Sequence, residues 1–259
     1  MHGQFMKILG IIPARYASTR LEGKPLVDLC GKPMIQHVYE RVKTKLDHVL
    51  VATDDKRIFD TVQNFGGKVV MTSENHNTGT NRCLEAYQKY AQATGEIFDV
   101  IINIQGDEPL LEPEQIETLT RCFDTADTEM ATLVIPSNPT EKLSQTGVFV
   151  VFDKYCNALY FSRSVIPYVR DAKPGEWSSH HTFYRHVGMY GFRPKALEAF
   201  ANLQQTSLEK AESLEQNRWL ENGKKIRVGI TTHETIPVDT KEDVALVRMI
   251  MKKKTVNNY

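Results

Sequence analysis

Three cations stand close together in Pro13-Ala14-Arg15-Tyr16-Ala17-Ser18-Thr19-Arg20-Leu21-Glu22-Gly23-Lys24-Pro25-Leu26, a stretch that holds a single glycine. Arg15, Arg20 and Lys24 follow Lys7 to Ile12, an apolar run that reads as a first strand, and in open α/β sheets ligands bind beyond the carboxyl ends of the strands. Arginine can fork two oxygens and lysine supplies a compact point charge, so side chains of this loop can grip a polyphosphate. Solvation of a surface turn is the plainer reading of any basic loop, and position after a strand weighs against it here. GxGxxG and GxxxxGK followed by Ser or Thr are both absent, which removes the main support for a dinucleotide-dependent dehydrogenase or a P-loop kinase. A nucleoside triphosphate suits the loop.

Chemistry on a triphosphate calls for a divalent cation, because the charged phosphate oxygens otherwise repel an incoming oxygen nucleophile. Carboxylates must hold that cation. Asp107 lies in the turn Gln105-Gly106-Asp107-Glu108-Pro109, directly after the apolar run Asp99 to Ile104. Gly106 lets backbone approach a ligand closely, and Pro109 sets the exit of the turn. Asp239 precedes Thr240, which can cap the last helix, and the fold could bring it beside Asp107. Read alone, Asp239 is an aspartate at a helix start. Magnesium takes only one or two protein carboxylates besides phosphate oxygens and water, so two aspartates would suffice.

The elements that must position these groups alternate short β-branched runs with amphipathic stretches, the pattern of a mostly parallel, Rossmann-like α/β sheet with helices on both faces. After the first strand, Pro33 opens a helix with Met34, Ile35, Val38 and Val42 on one side. His48 to Thr53 is a strand, Ile58, Phe59, Val62 and Phe65 form the buried stripe of a helix, and Gly66 and Gly67 stop it before the strand Lys68 to Thr72. A helix around Asn81 to Ala93 leads to the strand Asp99 to Ile104, apolar enough to be buried on both faces. Beyond Glu129 the strands Met130 to Pro136, Val148 to Asp153 and His186 to Phe192 are separated by longer polar connections, which predicts antiparallel additions. Arg170 to His181 reads as a mobile loop, Ser207 to Asn222 as one helix closed by Gly223, Ile226 to Thr231 as a strand, and Thr240 to Lys252 as the last helix. The expected organisation is a single α/β domain over 1–259, with 7–128 mainly on the nucleotide side, 129–235 a smaller mixed part for sugar binding and dimerisation, and 236–259 the metal-ligand loop and terminal helix.

Composition narrows the function classes. The 259 residues carry 32 Lys+Arg and 32 Asp+Glu, and a formal net charge of zero excludes an overall basic nucleic-acid glove. With 41% hydrophobic and 25% charged residues the chain is of ordinary globular composition. No apolar run approaches the roughly 18–20 residues of a membrane-spanning helix, and Met1 to Lys7 lacks the charged head and apolar stretch of a secretory signal. Cys30, Cys83, Cys122 and Cys156 include no close pair that would bind zinc or exchange thiols, so they are expected as reduced, mostly buried thiols in a cytoplasmic protein.

Motifs spread over nearly the whole chain carry a resemblance: IIPARYASTR, GKPL and GKPMIQHVYER at the start, then VATDD at 51–55, GTNRC at 79–83, NIQGDEP at 103–109, ALYFSR at 158–163, RHVGMYGF at 185–192, SLEQNR at 213–218 and VDTKED at 238–243. The sequence resembles the bacterial sugar-activating cytidylyltransferases, above all those that activate 3-deoxy-manno-octulosonate (KDO). That resemblance implies attack of the anomeric hydroxyl of KDO on the α-phosphate of CTP, giving CMP-KDO and pyrophosphate for lipopolysaccharide assembly. It makes Asp107 and Asp239 ligands of Mg2+, and Arg15 and Lys24 the cations that neutralise the triphosphate. Pro13, Ala14 and Thr72 fall where the family holds cytidine, with Gly106 beside the phosphates and Gln105 between nucleotide and sugar. Arg82, His186, Tyr190, Glu215 and Gln216 match sugar-contacting positions. His186 and Tyr190 are four apart, so on a strand both point to one face.

The resemblance also implies a homodimer formed through the second half of the chain, while zero net charge and the lack of a long apolar run speak against a nucleic-acid or membrane partner. Arg163 is open between serving the pocket and tying loops together, and His180 and His181 read as solvated. Glu22 stands where the family has proline, so it must point outward or pair with Arg20. Asn81 replaces an acidic residue beside Arg82. Two rivals are carried forward: a cytidylyltransferase for a related acceptor such as amino-KDO or sialic acid, and a non-catalytic nucleotide-binding protein.

Overall fold

Each buried strand begins from the same cause, a short run of β-branched and aliphatic residues that hides its side chains on both faces, and each intervening helix from an apolar stripe at helical spacing. The computed structural model describes residues 6–18, 20–76, 78–137 and 147–256. In chain order the elements are β1 (Ile8–Ala14), β2 (Asp28–Leu29), β3 (Lys32–Pro33), α1 (Met34–Lys43), β4 (His48–Thr53), α2 (Lys56–Asn64), β5 (Val69–Met71), α3 (Gly79–Thr94), β6 (Val100–Asn103) and α4 (Pro113–Arg121). They continue with β7 (Met130–Ser137), β8 (Phe149–Phe152), β9 (Ala158–Ser162), α5 (Trp177–His180), β10 (Phe183–Phe192), α6 (Pro194–Asn202), α7 (Ser207–Glu212), α8 (Glu215–Glu221), β11 (Arg227–Ile230) and α9 (Lys241–Val256). The chain is an α/β protein with mostly parallel strands flanked by helices and a smaller antiparallel part. Its described residues form two compact units, Met1–Ile116 with Thr235–Tyr259, and Glu117–Glu234.

In the first unit β6, β1, β4 and β5 lie side by side, all parallel. β1 pairs on both edges, with Leu9↔His48 on one side and Leu9↔Ile101 on the other, and Leu9, Ile11 and Ile12 have no exposed surface. Parallel pairing requires crossover connections, and it brings the carboxyl ends of β1, β4, β5 and β6 to one edge. α9 returns to this unit late in the chain because Val244 and Val247 pack with Leu29, Met34, Leu110 and Val238 in one buried cluster.

In the second unit β7 pairs in parallel with β11 and antiparallel with β10, while β8 pairs antiparallel with β10 and β9. The antiparallel additions foreseen past Glu129 are therefore present. β9, α4 and α6 were not anticipated: ALYFS is too short to show a period, and α4 and α6 each open on a proline within a polar connection. The single helix expected over Ser207 to Asn222 is two, α7 and α8, because Ser213 adopts left-handed backbone at φ 52 and breaks the run. Arg163 spans that break: its guanidinium donates to the carbonyls of Glu212 at 2.6 Å and Ser213 at 3.3 Å, so it ties loops together.

The stretch 170–181, read from composition as mobile, contains α5 and a buried aromatic anchor. Trp177 stacks with Phe183 at 6.1 Å and packs with Phe149, while Val165, Ile166, Val169 and Ala172 close around the cluster. All four cysteines are free thiols; Cys30, expected among mostly buried ones, is exposed.

Glu209 and Arg218 form a buried ion pair that clamps α7 to α8, and Arg218 also donates to the carbonyl of Leu203. Removing one partner strands a buried charge, so Arg218→Met should destabilise the protein by about 3–5 kcal/mol, and adding Glu209→Gln should restore part of the loss. Urea unfolding of the two variants checks this.

Candidate active site

β1 delivers its last residues, Pro13 and Ala14, to the carboxyl edge of the first unit's sheet, and the basic loop starts there. Gly23 closes the loop by donating from its backbone N–H to the carbonyl of Tyr16 at 3.0 Å. Its left-handed backbone, φ 66, favours glycine, and an added Cβ would lie 3.0 Å from the Tyr16 ring. The Arg57 guanidinium stacks on that ring at 3.2 Å from the centroid. Lys24 then opens a short 3-10 turn, Lys24–Leu26, whose Pro25 is buried. Glu22 is exposed, while Arg20 pairs elsewhere, so the departure from the family loop is accommodated by pointing outward.

Asp107 and Asp239 lie far apart in the sequence and are stitched together by backbone: the N–H of Val238 donates to the carbonyl of Asp107 at 2.9 Å. Gly106 makes the preceding turn possible, since a Cβ there would lie 2.8 Å from the Pro13 carbonyl oxygen. Val238 is fully buried in the cluster that seats α9. The Asp243 carboxylate, in the first turn of α9, accepts from the backbone N–H of Asp239 at 3.0 Å, the N–H of Thr240 at 2.8 Å and the Thr240 hydroxyl at 2.9 Å. These bonds hold its pKa below the usual carboxylate value, the Asp239 N–H contributing most. Thr240 is the expected cap, its hydroxyl accepting from the backbone N–H of Asp243 at 3.2 Å, and Asp243, which carries no role in the sequence reading, orients the peptide that carries Asp239.

The two aspartates and the basic loop converge on one atom. Lys24 Nζ lies 2.7 Å from Asp107 Oδ2 and 3.0 Å from Asp239 Oδ1, and Arg20 reaches the same Asp239 oxygen at 3.0 Å. Burial works against the charge of Lys24, but Asp107 and then Asp239 outweigh it, and its pKa stands above the ordinary lysine value. A cavity of about 420 Å³ opens over the group, lined by Pro13, Ala14, Arg15, Lys24, Gln105, Gly106, Asp107 and Asp239, together with Ala17, Ser18, Arg20 and Pro25. Glu108 is buried and outside this lining. Two hard carboxylates already meeting on a cation fit a magnesium ion, which completes its shell with phosphate oxygens and water. Among the described residues no cluster of three or more His, Cys, Asp or Glu forms a metal site, so such an ion would depend on those outside oxygens.

Thr72 follows β5 at the same edge of the sheet and is buried; its N–H donates to the carbonyl of Thr53 at 2.8 Å. Arg82, on α3, has no exposed surface, and its guanidinium bonds the Thr72 hydroxyl at 2.5 Å and the Asp54 carboxylate. The structure therefore brings Arg82 to Thr72, with Asp54 as its counter-charge. Asn81 is engaged locally, its N–H donating to the helix-capping Thr78 hydroxyl at 3.2 Å, so its missing charge bears on the α3 cap.

The second unit carries the remaining expected residues, His186 and Tyr190 on β10 and Glu215 and Gln216 at the start of α8. Val187 pairs with Leu133 but Tyr190 pairs with Thr132, so two extra residues, Gly188 and Met189, bulge from the strand. On a flat strand four residues span about 13 Å, whereas the rings of His186 and Tyr190 lie 5.2 Å apart. They share a face, as expected, and the bulge makes them neighbours. Desolvation pushes the His186 pKa down to about 3, so the imidazole is neutral. Desolvation, with Glu215 adding, raises Tyr190 well above the usual phenol value, so its hydroxyl keeps its proton. Glu215 and Gln216 open α8, and Gln216 is only 3% exposed with its Nε2 lacking a hydrogen-bond partner among the described residues. A buried donor of this kind awaits an acceptor. His180 and His181 are exposed.

A family model described as "Cytidylyltransferase" matches residues 9–226. A 3-deoxy-manno-octulosonate cytidylyltransferase of Parabacteroides distasonis is 57% identical over 245 residues, covering 92% of this chain and 96% of its own. One of Phocaeicola vulgatus is 51% identical, covering 96% and 99%. Among solved structures, a CMP:2-keto-3-deoxy-manno-octonic acid synthetase complexed with CTP superposes with a TM-score of 0.87 at 41% identity, over 96% of this chain and 99% of the other.

The neutral His186 has a consequence for stability. Its pKa lies near 3 folded and 6.5 in the reference state, so between those values the unfolded chain binds the extra proton and acid favours unfolding. Between pH 7 and 5 the wild type should lose up to about 2 kcal/mol more than His186→Gln, as read by urea titration at both pH values.

Proposed function

This chain belongs to the cytidylyltransferase family, and on that premise we propose that it transfers CMP from CTP to KDO, releasing pyrophosphate. The observation that carries the reading is the meeting of Lys24 with Asp107 and Asp239 beside a cavity walled by Arg15, Arg20 and the Gln105–Gly106 turn. In the reaction the anomeric oxygen forms a bond to the α-phosphorus as the bond to the bridging oxygen of the β-phosphate breaks. Negative charge passes to the departing pyrophosphate, and Arg15 and Lys24 are placed to offset it, so catalysis is chiefly positioning and charge compensation. Asp107 and Asp239 would hold Mg2+, whose contribution when bound is Lewis-acid charge at the phosphate oxygens.

Pro13, Ala14 and Thr72 hold cytidine; Arg82, expected to contact the sugar, has no exposed surface and instead fixes the Thr72 hydroxyl, with Asp54 as its counter-charge. Gln105 serves the sugar from the phosphate side. His186, Tyr190, Glu215 and Gln216 offer uncharged donors and acceptors and one carboxylate, a set suited to sugar hydroxyls.

The same reading carries a cytoplasmic enzyme that supplies lipopolysaccharide assembly and works as a homodimer. Among the described residues no helix is long and apolar enough to cross a membrane. Support for the dimer comes from the second unit, where Tyr155 and Leu159 are each 62% exposed, Leu159 on β9, a strand paired only with β8 among the described elements. The names of the relatives favour KDO over amino-KDO or sialic acid, and the presence of both aspartates and both phosphate cations disfavours a non-catalytic binding protein.

Pyrophosphate release from CTP should require both KDO and Mg2+, stop on chelation and return when Mg2+ is restored. Asp107→Asn, Asp239→Asn and Lys24→Met should each lower turnover on the order of 10²–10³-fold. Release without an acceptor, or near-wild-type rates in either aspartate variant, would sink the assignment.

A further inference from the structure

The hydroxyl of Thr132, in β7, sits inside the bulge of β10 and touches three groups there. Its oxygen lies 2.8 Å from the carbonyl of Met189, 3.4 Å from that of Val187 and 2.9 Å from Nε2 of His186. Thr132 has no exposed surface, so water does not share in these bonds. One hydroxyl carries one proton. The carbonyls can only accept, and a threonine oxygen 2.8 Å from a carbonyl oxygen without a proton between them would set two lone pairs against each other. The proton therefore belongs to the Met189 contact, and the remaining lone pairs face His186. Nε2 must then be the protonated ring nitrogen. Phe161 packs edge-on against the imidazole at 5.3 Å and Tyr190 lies against it at 5.2 Å, which restricts rotation of the ring.

We propose that Thr132 is a positioning residue that locks His186 as the Nε2–H tautomer, so that Nδ1 is a pure acceptor and takes a hydrogen bond from a hydroxyl of the sugar. The proposal rests on the reading that the second unit binds the sugar. It also fixes what His186 does not do: a neutral ring with a bare Nδ1 repels a carboxylate, so the acid group of the substrate is recognised by cations elsewhere. Desolvation of the ring, which keeps it uncharged, agrees with this role.

Long-range proton–nitrogen correlation spectra of the imidazole in the substrate-free wild type test the lock directly. The Nε2–H pattern is expected from pH 8 down to 5. An Nδ1–H pattern, or an imidazolium in that range, overturns the proposal whatever the kinetics. Thr132→Val should let the Nδ1–H form appear and raise the KM for KDO roughly tenfold, with the KM for CTP unchanged, while Thr132→Ser, which keeps the hydroxyl, should stay near wild type in both readouts. If the lock is seen but His186→Phe leaves the KM for KDO unaltered, the sugar reading of this site fails, and the acceptor role assigned to Nδ1 falls with it.

Discussion

Two carboxylates cannot be brought together in a half-buried site unless something between them carries positive charge, and here that is the ammonium of Lys24. The rest of the first unit can be understood as the means of holding this arrangement. The bond from Val238 to the Asp107 carbonyl joins the two chain segments, the apolar cluster around Val244 and Val247 anchors the helix behind one aspartate, and Gly106 lets the other turn lie flat on Pro13. Lys24 and Arg20 together balance the two carboxylates, so the group is close to neutral before any ligand arrives. On the proposed function the phosphates would take the cations and a Mg2+ ion would take the carboxylates, so each side chain that loses a charged partner would gain another of the same sign.

On the proposed function the second unit solves a different problem by different means. A polyol offers many hydroxyls with little to distinguish them except direction, so its site needs donors and acceptors of fixed sense. Thr132, the bulge at Gly188 and Met189, and the buried amide of Gln216 set that sense without a cation among them.

Much of this was legible in the residues. The longer parallel strands and several of the helices appeared as apolar periods, and the cations after β1 with the aspartate after β6 stood where ligands bind in such sheets. Legibility failed where a single backbone conformation decides the outcome. Nothing in the composition of Ser207 to Asn222 distinguishes one helix from two, because the break is a lone serine in left-handed backbone. The stretch 170–181 looked polar throughout, yet one tryptophan with the right neighbours orders it around a small core. Asp54 and Asp243 carry no signal of their own in the sequence, because their partners, Arg82 and the Asp239–Thr240 peptide, meet them only in the folded chain.

Chemistry of residue types and their spacing was enough to specify an α/β sheet with a basic loop suited to a triphosphate and an aspartate after a buried strand, because periodicity and side-chain charge are properties of the chain itself; the roles of Asp239, His186 and Tyr190 came only with the family resemblance. Which atoms meet was settled by packing between segments far apart in the chain. Lys24 finds its carboxylates 83 and 215 residues away, and His186 receives its tautomer from a threonine 54 residues before it, because hydrogen-bond direction and ion pairing depend on distances that exist only once the core has closed.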